Sequence, residues 1–339
     1  MGASVLAGGL LTGCRSDGTG SSASSEPKPA EENLGTAQNG NRFNRSNAVD
    51  VYFTSEISPA GLMKVWNALA FEPKGNVAIK ISTGEPGGHN FLQPALIADL
   101  VQSVEGTIVE CNTAYGGERG STESHLRAAA AHGFTAIVDV DIMDGYGEIS
   151  IPVVGGTHLS EDIVGEHLDN YQNMIVLSHF KGHAMGGFGG ALKNISIGVA
   201  SSRGKLYIHS TGSSKTSWGN PVQDDFLEFM AEAAKAVSDH IGKQNIVYVS
   251  VMNNLSVDCD CDSHPADPDM ADIGILASHD PVALDRACVD LVYAAPDGAS
   301  LIQRMKSRNG AHILEYAESI GLGSQTYELI NIDANSGEN

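Results

Sequence analysis

Short apolar runs alternate with helical segments between residues 48 and 333, and this alternation limits the fold more than any other feature. Runs such as "VDVYFT", "NVAIKIS" and "NIVYVSVMN" are apolar enough to be buried on both faces. Between them, segments such as "QPALIADLVQSV" have the apolar spacing and the starting residues of helices. Strands buried on both faces and separated by helices are typical of a parallel sheet covered on both sides. We therefore predict an α/β fold with a mainly parallel sheet, helices on both faces and two packed lobes.

The first 47 residues have a different composition. The stretch "SVLAGGLLTGC" ends at Cys14 and resembles a bacterial lipobox, in which the cysteine is lipidated, although the positive charge expected at the start of a signal peptide is missing. Either this match is accidental, or the chain carries a lipoprotein-type signal segment at 1–14 and is anchored to the extracytoplasmic face of the cell envelope. Residues 15–47 are rich in Ser, Gly, Glu and Pro, which indicates a disordered tether. The folded body is then expected at 48–333 and a tail at 334–339.

The charge of the chain excludes one class of partner. The formal net charge is −21 over 339 residues, and the sequence has no cluster of Lys and Arg that could neutralise phosphates. We therefore expect no nucleic-acid partner. No apolar run reaches the roughly 20 residues needed to span a bilayer, so contact with a membrane is expected only through a lipid anchor on Cys14.

Polar clusters follow five of the predicted strands. They are "GEPGGHN", "CNTAYGGER", "SHFKGH", "NNLSVDCDCDSH" and "SHDP". In open parallel sheets, ligands bind beyond the carboxyl ends of the strands. The five clusters therefore predict an active-site edge.

The segment "SHFKGHAMGGFGGALKN" carries two histidines, His179 and His183, and two lysines, Lys181 and Lys193. Neutral imidazole is a common metal ligand, so the histidines are candidate ligands; the alternative is a pair of hydrogen-bonded loop histidines. The lysines are candidate anion-holding or acid–base groups.

The same segment is rich in glycine. Glycines let the backbone approach a bound group closely; the alternative is a tight turn into a helix that starts near Ala191. The residues predicted to line a cofactor or an anion here are Gly186, Gly187, Gly189, Gly190 and Asn194.

Two cysteines stand close together in "CDCD". Cys259 and Cys261 could present two thiolates to one metal, and His264 follows three residues later; the alternative is a pair of free or redox-paired thiols. Cys111 and Cys288 lie in an apolar strand and an apolar helix, where core packing is the simpler interpretation.

Further polar residues sit beside these motifs. Glu85 follows a strand on a glycine-rich turn and is a candidate general base, although exposed turn glutamates are common. Arg119 could clamp a carboxylate or phosphate. His125 and His132 share one face of a predicted helix, and we expect one of them to point back at the site. Asp280 is most simply the N-cap of the helix that begins at Pro281.

The body resembles the family called domain of unknown function 362, in its iron–sulfur protein branch. The resemblance is carried by "VAIKISTGEPGGHNFLQP", "CNTAYGGERGSTESHL", "LSHFKGHAMGGFGGALKNISIGVASSRGK", "CDCDSHP" and "DIGILASHDPVALDRACVDLV". Many relatives carry an inserted ferredoxin module of eight cysteines after the position of "GKLYIHS", but this chain has no cysteine there and no ferredoxin-type cluster motif. A shorter run, "HAMGGFGGALK", is similar to one in nickel-pincer lactate racemases, where the histidine matching His183 ligates nickel.

These features predict a metal-dependent redox or isomerase-type enzyme that acts on a small anionic substrate, with a redox partner protein as a further candidate partner. His179, His183, Cys259 and Cys261 would share one iron, nickel or zinc ion, provided that the strands before them are neighbours. Lys181, Lys193 and Glu85 would supply acid–base groups, and Arg119 would hold the anion. In the competing arrangement, "CDCD" is a remote redox pair. The alternative function is a cell-surface lipoprotein that binds a metal complex or small anion without catalysis.

Overall fold

Residues 47–333 are described in the computed structural model, and they form twelve strands and nine α-helices. The strands are β1 (Val49–Thr54), β2 (Val77–Lys80), β3 (Thr107–Glu110), β4 (Val140–Ile142), β5 (Glu148–Pro152), β6 (Glu161–Gly165), β7 (Asn173–His179), β8 (Lys181–His183), β9 (Gly187–Gly189), β10 (Ile246–Met252), β11 (Gly274–Ser278) and β12 (Tyr327–Asn331). The helices are α1 (Pro59–Leu69), α2 (Pro94–Ser103), α3 (Thr122–Ala131), α4 (Ala191–Ile195), α5 (Ser202–His209), α6 (Gln223–Ile241), α7 (Pro281–Ala294), α8 (Ala299–Ser307) and α9 (His312–Ser319).

Eight of the strands form one sheet in the order β12-β1-β11-β10-β7-β2-β3-β4. All of its pairings are parallel except the two made by β11, which runs antiparallel to β1 and to β10. The remaining strands make two small antiparallel pairs, β5 with β6 and β8 with β9. The prediction of an α/β fold with a mainly parallel sheet is confirmed.

The central strand β7 shows why the sheet is covered on both sides. Met174 and Val176 pack into a core with α4, α6 and α7, whereas Ile175 and Leu177 point to the other face and pack with α1 and α2. Alternate side chains leave a strand on opposite faces, so a strand that is apolar throughout needs helices on both sides. The described body is a single compact unit around this sheet, and the two packed lobes stay a prediction.

Caps fix where two of the predicted helices begin. The Ser58 hydroxyl accepts the Gly61 N–H at 3.0 Å, and Pro59 occupies the first turn of α1. The Asp280 carboxylate accepts the N–H groups of Val282 and Ala283 at 2.8 and 3.0 Å and so caps α7, as the sequence indicated.

Four local predictions were wrong or incomplete. Since β11 is antiparallel, the "SHDP" cluster after it lies at the opposite edge of the sheet, where His279 bonds the Leu69 carbonyl. The stretch "TAIVDVD" was predicted to be a strand, but most of it is a 3₁₀ turn and coil before the short β4. Helix α5 and strand β12 were not predicted.

Within residues 47–333, no helix is both long and apolar enough to cross a membrane. Cys14 and the tether lie outside the described residues, so the lipid anchor stays a prediction.

Candidate functional site

The segments after β7 and β10 meet because these strands are parallel neighbours. Val251 near the end of β10 pairs with His179 at the end of β7. Beyond β7 the chain does not form the expected open loop; it folds back as a hairpin in which Lys181 pairs with Gly189 and His183 with Gly187. Lys181 and His183 are two residues apart on a strand and therefore share one face of the hairpin.

The loop that carries both cysteines packs directly on this hairpin. The Gly182 N–H donates to the Ser256 carbonyl at 2.8 Å. A Cβ at Gly182 would lie 2.2 Å from the Val257 carbonyl oxygen, so this approach requires a residue without a side chain. The close contact brings the cysteines to the face of the hairpin that carries His183.

His183, Cys259 and Cys261 form a potential metal-binding group. One ligand atom from each lies within 4.8 Å of the other two, and His183 and Cys259 are buried. Around a tetrahedral ion with metal–sulfur bonds of about 2.3 Å, neighbouring sulfur atoms lie roughly 3.8 Å apart. The three side chains therefore fit one transition-metal ion with only a small contraction.

The two thiols share a proton unequally. The Cys261 thiol hydrogen-bonds Cys259 and lowers the pKa of Cys259 well below its usual value, and Lys193 and His183 act in the same direction against burial. The same hydrogen bond, together with burial, raises the pKa of Cys261. The Lys193 ammonium lies 3.6 Å from the Cys259 sulfur. These contacts favour the thiolate of Cys259, the form that binds metals and reacts as a nucleophile.

The His183 ring is oriented and kept neutral. The Gly186 N–H donates to its Nδ1 at 2.8 Å. Burial lowers the pKa of His183, and the positive charge of Lys193 lowers it further. Neutral imidazole is the state that a metal ligand needs. Because Nδ1 accepts from Gly186, the neutral ring carries its proton on Nε2, and a metal bound there would replace that proton.

His179 does not belong to this group, which corrects the expected set of four ligands. Its Nδ1 contacts Asp260 at 2.9 Å and its Nε2 contacts the Asn253 carbonyl at 2.6 Å. Both ring nitrogens are therefore occupied by protein partners, and neither is directed at a metal site. The same Asp260 accepts the Lys181 ammonium at 2.5 Å. Burial acts to raise the pKa of Asp260, but Lys181 and His179 hold it well below its ordinary value.

Helix α4 places Lys193 and Asn194 beside this group. The buried Asp285 carboxylate accepts the N–H groups of Ala191 and Leu192 at 2.7 and 2.9 Å, which fixes the start of the helix. A Cβ at Gly190 would lie 2.2 Å from the Asp285 carboxylate, so glycine is needed there too. The Asn194 amide donates to the Lys80 carbonyl and the Ser178 hydroxyl, both at 3.1 Å.

The four glycines of the motif have different environments. Gly189 and Gly190 line the cavity described below, as predicted for a binding segment. Gly187 has a φ of +80°, and its Cα packs against the backbone of Met305 and Gly310. Gly186 does not line the cavity and instead holds His183 through its N–H. Gly186 and Gly187 therefore do not have the predicted binding position.

Arg119 and Glu85 form part of a buried ion-pair network. The Arg119 guanidinium donates to Glu85 and to Glu110, each at 3.2 Å, and to the Tyr115 hydroxyl at 2.8 Å. Glu85 also accepts the Glu118 N–H and does not line the cavity. It is a partner of Arg119 rather than an accessible general base, which corrects its expected role. His125 points back at the network and contacts Glu110 at 3.2 Å, as one of the two helix histidines was expected to do.

A cavity of about 250 Å³ lies against these groups at the carboxyl edge of the parallel strands. Its cationic lining residues are Lys80, Arg119, Lys181, Lys193 and Lys205. His183, Cys259 and Cys261 form part of its wall, and Met185, Ile197 and Trp218 add apolar surface. A cation-rich cavity in a chain of net charge −21 is suited to a small anion.

Residues 77–290, more than half of the chain, match the family described as "Domain of unknown function (DUF362)". The chain belongs to this family. No curated protein matches.

Two solved structures are similar to this DUF362 protein at low identity. The lactate racemase apoprotein from Thermoanaerobacterium thermosaccharolyticum is 12% identical with a TM-score of 0.39, covering 70% of this chain and 56% of that one. A protein from Thermotoga maritima is 15% identical with a TM-score of 0.36, covering 57% and 49%. The chain thus spans about half the length of the solved structures it matches.

Sequence reasoning missed several cavity residues of this DUF362 protein, namely Lys80, Ser178, Lys205, His209 and Trp218. Lys80 did leave a signal, since a lysine at the end of the apolar run "NVAIK" is unusual for a strand buried on both faces. Cys111 lines the cavity as well, although it was expected only to pack in the core. His264 is exposed and contacts Ser263, and it takes no part in the group.

Proposed function

We propose that this DUF362 protein is a metal-dependent enzyme of the redox or isomerase type that acts on a small anionic substrate. The single observation that carries the proposal is the placement of His183, Cys259 and Cys261 on the wall of a cavity lined by cationic side chains. A metal site and an anion site that share one cavity can bring an ion and a substrate into contact.

The donor set indicates the class of metal. Two cysteine sulfurs and a neutral imidazole suit iron, nickel or zinc and disfavour magnesium and calcium, which prefer oxygen ligands. Three protein ligands are also the pattern of catalytic zinc sites, in which the fourth position takes water or substrate. Such an ion would supply Lewis-acid or redox chemistry to a molecule in the cavity.

The side chains around the group have separate tasks. Lys193 carries its charge beside Cys259, where it favours the thiolate and attracts an anion. Lys181 is tied to Asp260 by an ion pair and acts as a positioning residue for the loop between the cysteines. The apolar side chains of Met185 and Trp218 reduce the access of water to the cavity, which strengthens every electrostatic contact inside it.

Metal content after anaerobic purification tests the proposal. We expect about one transition-metal ion per chain, with comparable loss in Cys261→Ser and His183→Ala. Matched controls are Cys288→Ala, a buried cysteine in α7, and His264→Ala, an exposed histidine three residues from Cys261. Both controls should keep the metal. A wild-type protein without a stoichiometric transition metal would overturn the proposal.

Full metal retention in Cys261→Ser, together with loss in His183→Ala, would separate the cysteines from the site. The competing arrangement, in which the cysteines act as a redox pair, would then be the better account.

A further inference from the structure

Two buried lysines that line the cavity donate to no carboxylate in the part of the chain that the structure describes. The Lys80 ammonium donates to the Ile81 carbonyl at 2.5 Å and to the Asn194 side-chain oxygen at 3.0 Å. The Lys205 ammonium donates to the carbonyls of Ala200 and Cys111 at 2.5 and 3.5 Å. These four acceptors are three backbone carbonyls and one side-chain amide oxygen, and all of them are neutral. A buried charge is costly unless it is paired, and each ammonium keeps one further N–H to donate.

The neighbouring carboxylates are engaged elsewhere. Glu110 receives the Thr83 N–H and hydroxyl, Arg119 and His125. Asp162 interacts with Lys205 only at a distance. Burial raises the pKa of Asp162 to about 7, and its Oδ1 accepts the Ile163 N–H at 2.9 Å. Neither carboxylate takes the remaining N–H of a lysine.

An unpartnered hydroxyl lies in the same cavity. Thr113 is 8% exposed and lines the cavity, and its Oγ1 has no hydrogen-bond partner in the part of the chain that the structure describes. Buried hydroxyls are nearly always hydrogen-bonded. Thr113 is therefore a second, independent indication that a polar group of a ligand is bound here.

The backbone also leaves room for the lysine. A Cβ at Gly198 would lie 2.8 Å from the Lys80 Nζ, so a glycine at that position lets the ammonium reach the cavity.

We infer that Lys80, Lys205 and Thr113 form an anion subsite for the carboxylate or phosphate group of a small organic acid, distinct from the metal group. Lysine binds either oxyanion as a point charge, and the threonine hydroxyl can donate to it. The His209 Nδ1 contacts the Lys205 carbonyl at 2.6 Å, and His209 lines the same cavity as His183 and Lys193, so the subsite and the metal group open into one space. A ligand held at the subsite would therefore extend its reactive part toward the metal group. This assignment of a substrate class rests on the proposed function, but the subsite itself can be tested separately.

The test is calorimetric titration of the full-chain protein with sodium phosphate and, separately, with sodium acetate. We expect saturable binding of at least one anion, and the tighter of the two identifies the oxyanion. Removing one charged donor in Lys80→Met or Lys205→Met should weaken binding about tenfold or more. The control Lys306→Met removes an exposed lysine of α8 and should leave the affinity unchanged.

The variant Thr113→Val tests the subsite independently if a lysine variant does not fold. Because the Thr113 hydroxyl has no partner in the described structure, the valine should not lower the unfolding midpoint, yet anion affinity should fall severalfold. Tryptophan fluorescence gives a second readout, because Trp218 lines the cavity while the other tryptophan, Trp66, is buried in α1. We expect the bound anion to quench the fluorescence of the wild-type protein and not that of Trp218→Phe.

The outcomes separate the two proposals. Loss of anion binding in the lysine variants with normal metal content, and retention of anion binding in His183→Ala, support a distinct subsite. Lysine-dependent anion binding in a protein that never holds metal would support the subsite and refute the proposed function. If neither anion binds saturably, or if the Lys80, Lys205 and Thr113 variants keep the wild-type affinity, the assignment of the subsite is refuted. The assignment of the metal group would not be affected by that result.

Discussion

Gly182→Ala should separate the hairpin from the cysteine loop. The new Cβ would lie 2.2 Å from the Val257 carbonyl oxygen and 2.5 Å from its carbonyl carbon, and both are backbone atoms that cannot rotate away. Relief of this clash requires a movement of about 1 Å, whereas metal–ligand distances tolerate only about 0.2 Å. We expect metal affinity to fall about 10–100-fold, because His183 follows directly in the chain.

The free energy of unfolding should fall as well. Overpacking costs about 1–3 kcal/mol, and the loss of the bond from the Gly182 N–H to the Ser256 carbonyl costs a similar amount. We therefore expect a decrease of about 2–6 kcal/mol in the free energy of unfolding. Urea unfolding with a chelator present measures this change without the contribution of bound metal. The matched control is Gly116→Ala, since a Cβ there meets no atom within 4 Å. A Gly182→Ala protein with the unfolding midpoint and metal affinity of wild type would refute the contact.

Three further predictions concern stability. Asp260→Asn leaves Lys181 buried without its counter-charge and should destabilise the protein by about 3–5 kcal/mol in urea unfolding; a wild-type midpoint would contradict the ion pair. Burial lowers the pKa of Lys80 to about 8 from 10.5, so the unfolded chain binds more protons between these values and stability should rise with pH across that window. Lys80→Met should lack this rise relative to wild type, and identical pH profiles would contradict the assignment. Asp280→Ala removes the cap of α7 and should cost about 1–2 kcal/mol with unchanged metal content, because Asp280 lies at the opposite edge of the sheet; loss of metal would contradict that placement.

The parts of the fold that could be predicted are those in which burial determines the sequence. The strands β7 and β10 are buried at every position, and their apolar runs stand out for that reason. β12 was missed because most of its residues are only partly buried, so its composition is mixed. Strand direction is a different limit: "DIGILAS" is apolar whether it runs parallel or antiparallel, and nothing local shows which.

The candidate site had a similar limit. The two histidines, four residues apart, look equivalent in sequence. In the structure, however, His179 contacts Asp260, which lies between the two cysteines, and only His183 lies beside the thiols. Glu85 could not be distinguished from an exposed turn glutamate until Arg119 was seen beside it. Lys205 belongs to a helix with weak apolar periodicity that was not predicted, so its place in the cavity depends on the tertiary fold.

X-ray absorption spectroscopy of the metal-loaded protein tests the central claim most directly, because it counts the ligand atoms around the ion. If zinc is bound, we expect two sulfur neighbours at about 2.3 Å and one imidazole nitrogen at about 2.0–2.1 Å. The Cys261→Ser protein should show one sulfur fewer, and Cys288→Ala should reproduce the wild-type spectrum. A first shell of nitrogen and oxygen alone would contradict the assignment of Cys259 and Cys261 as ligands.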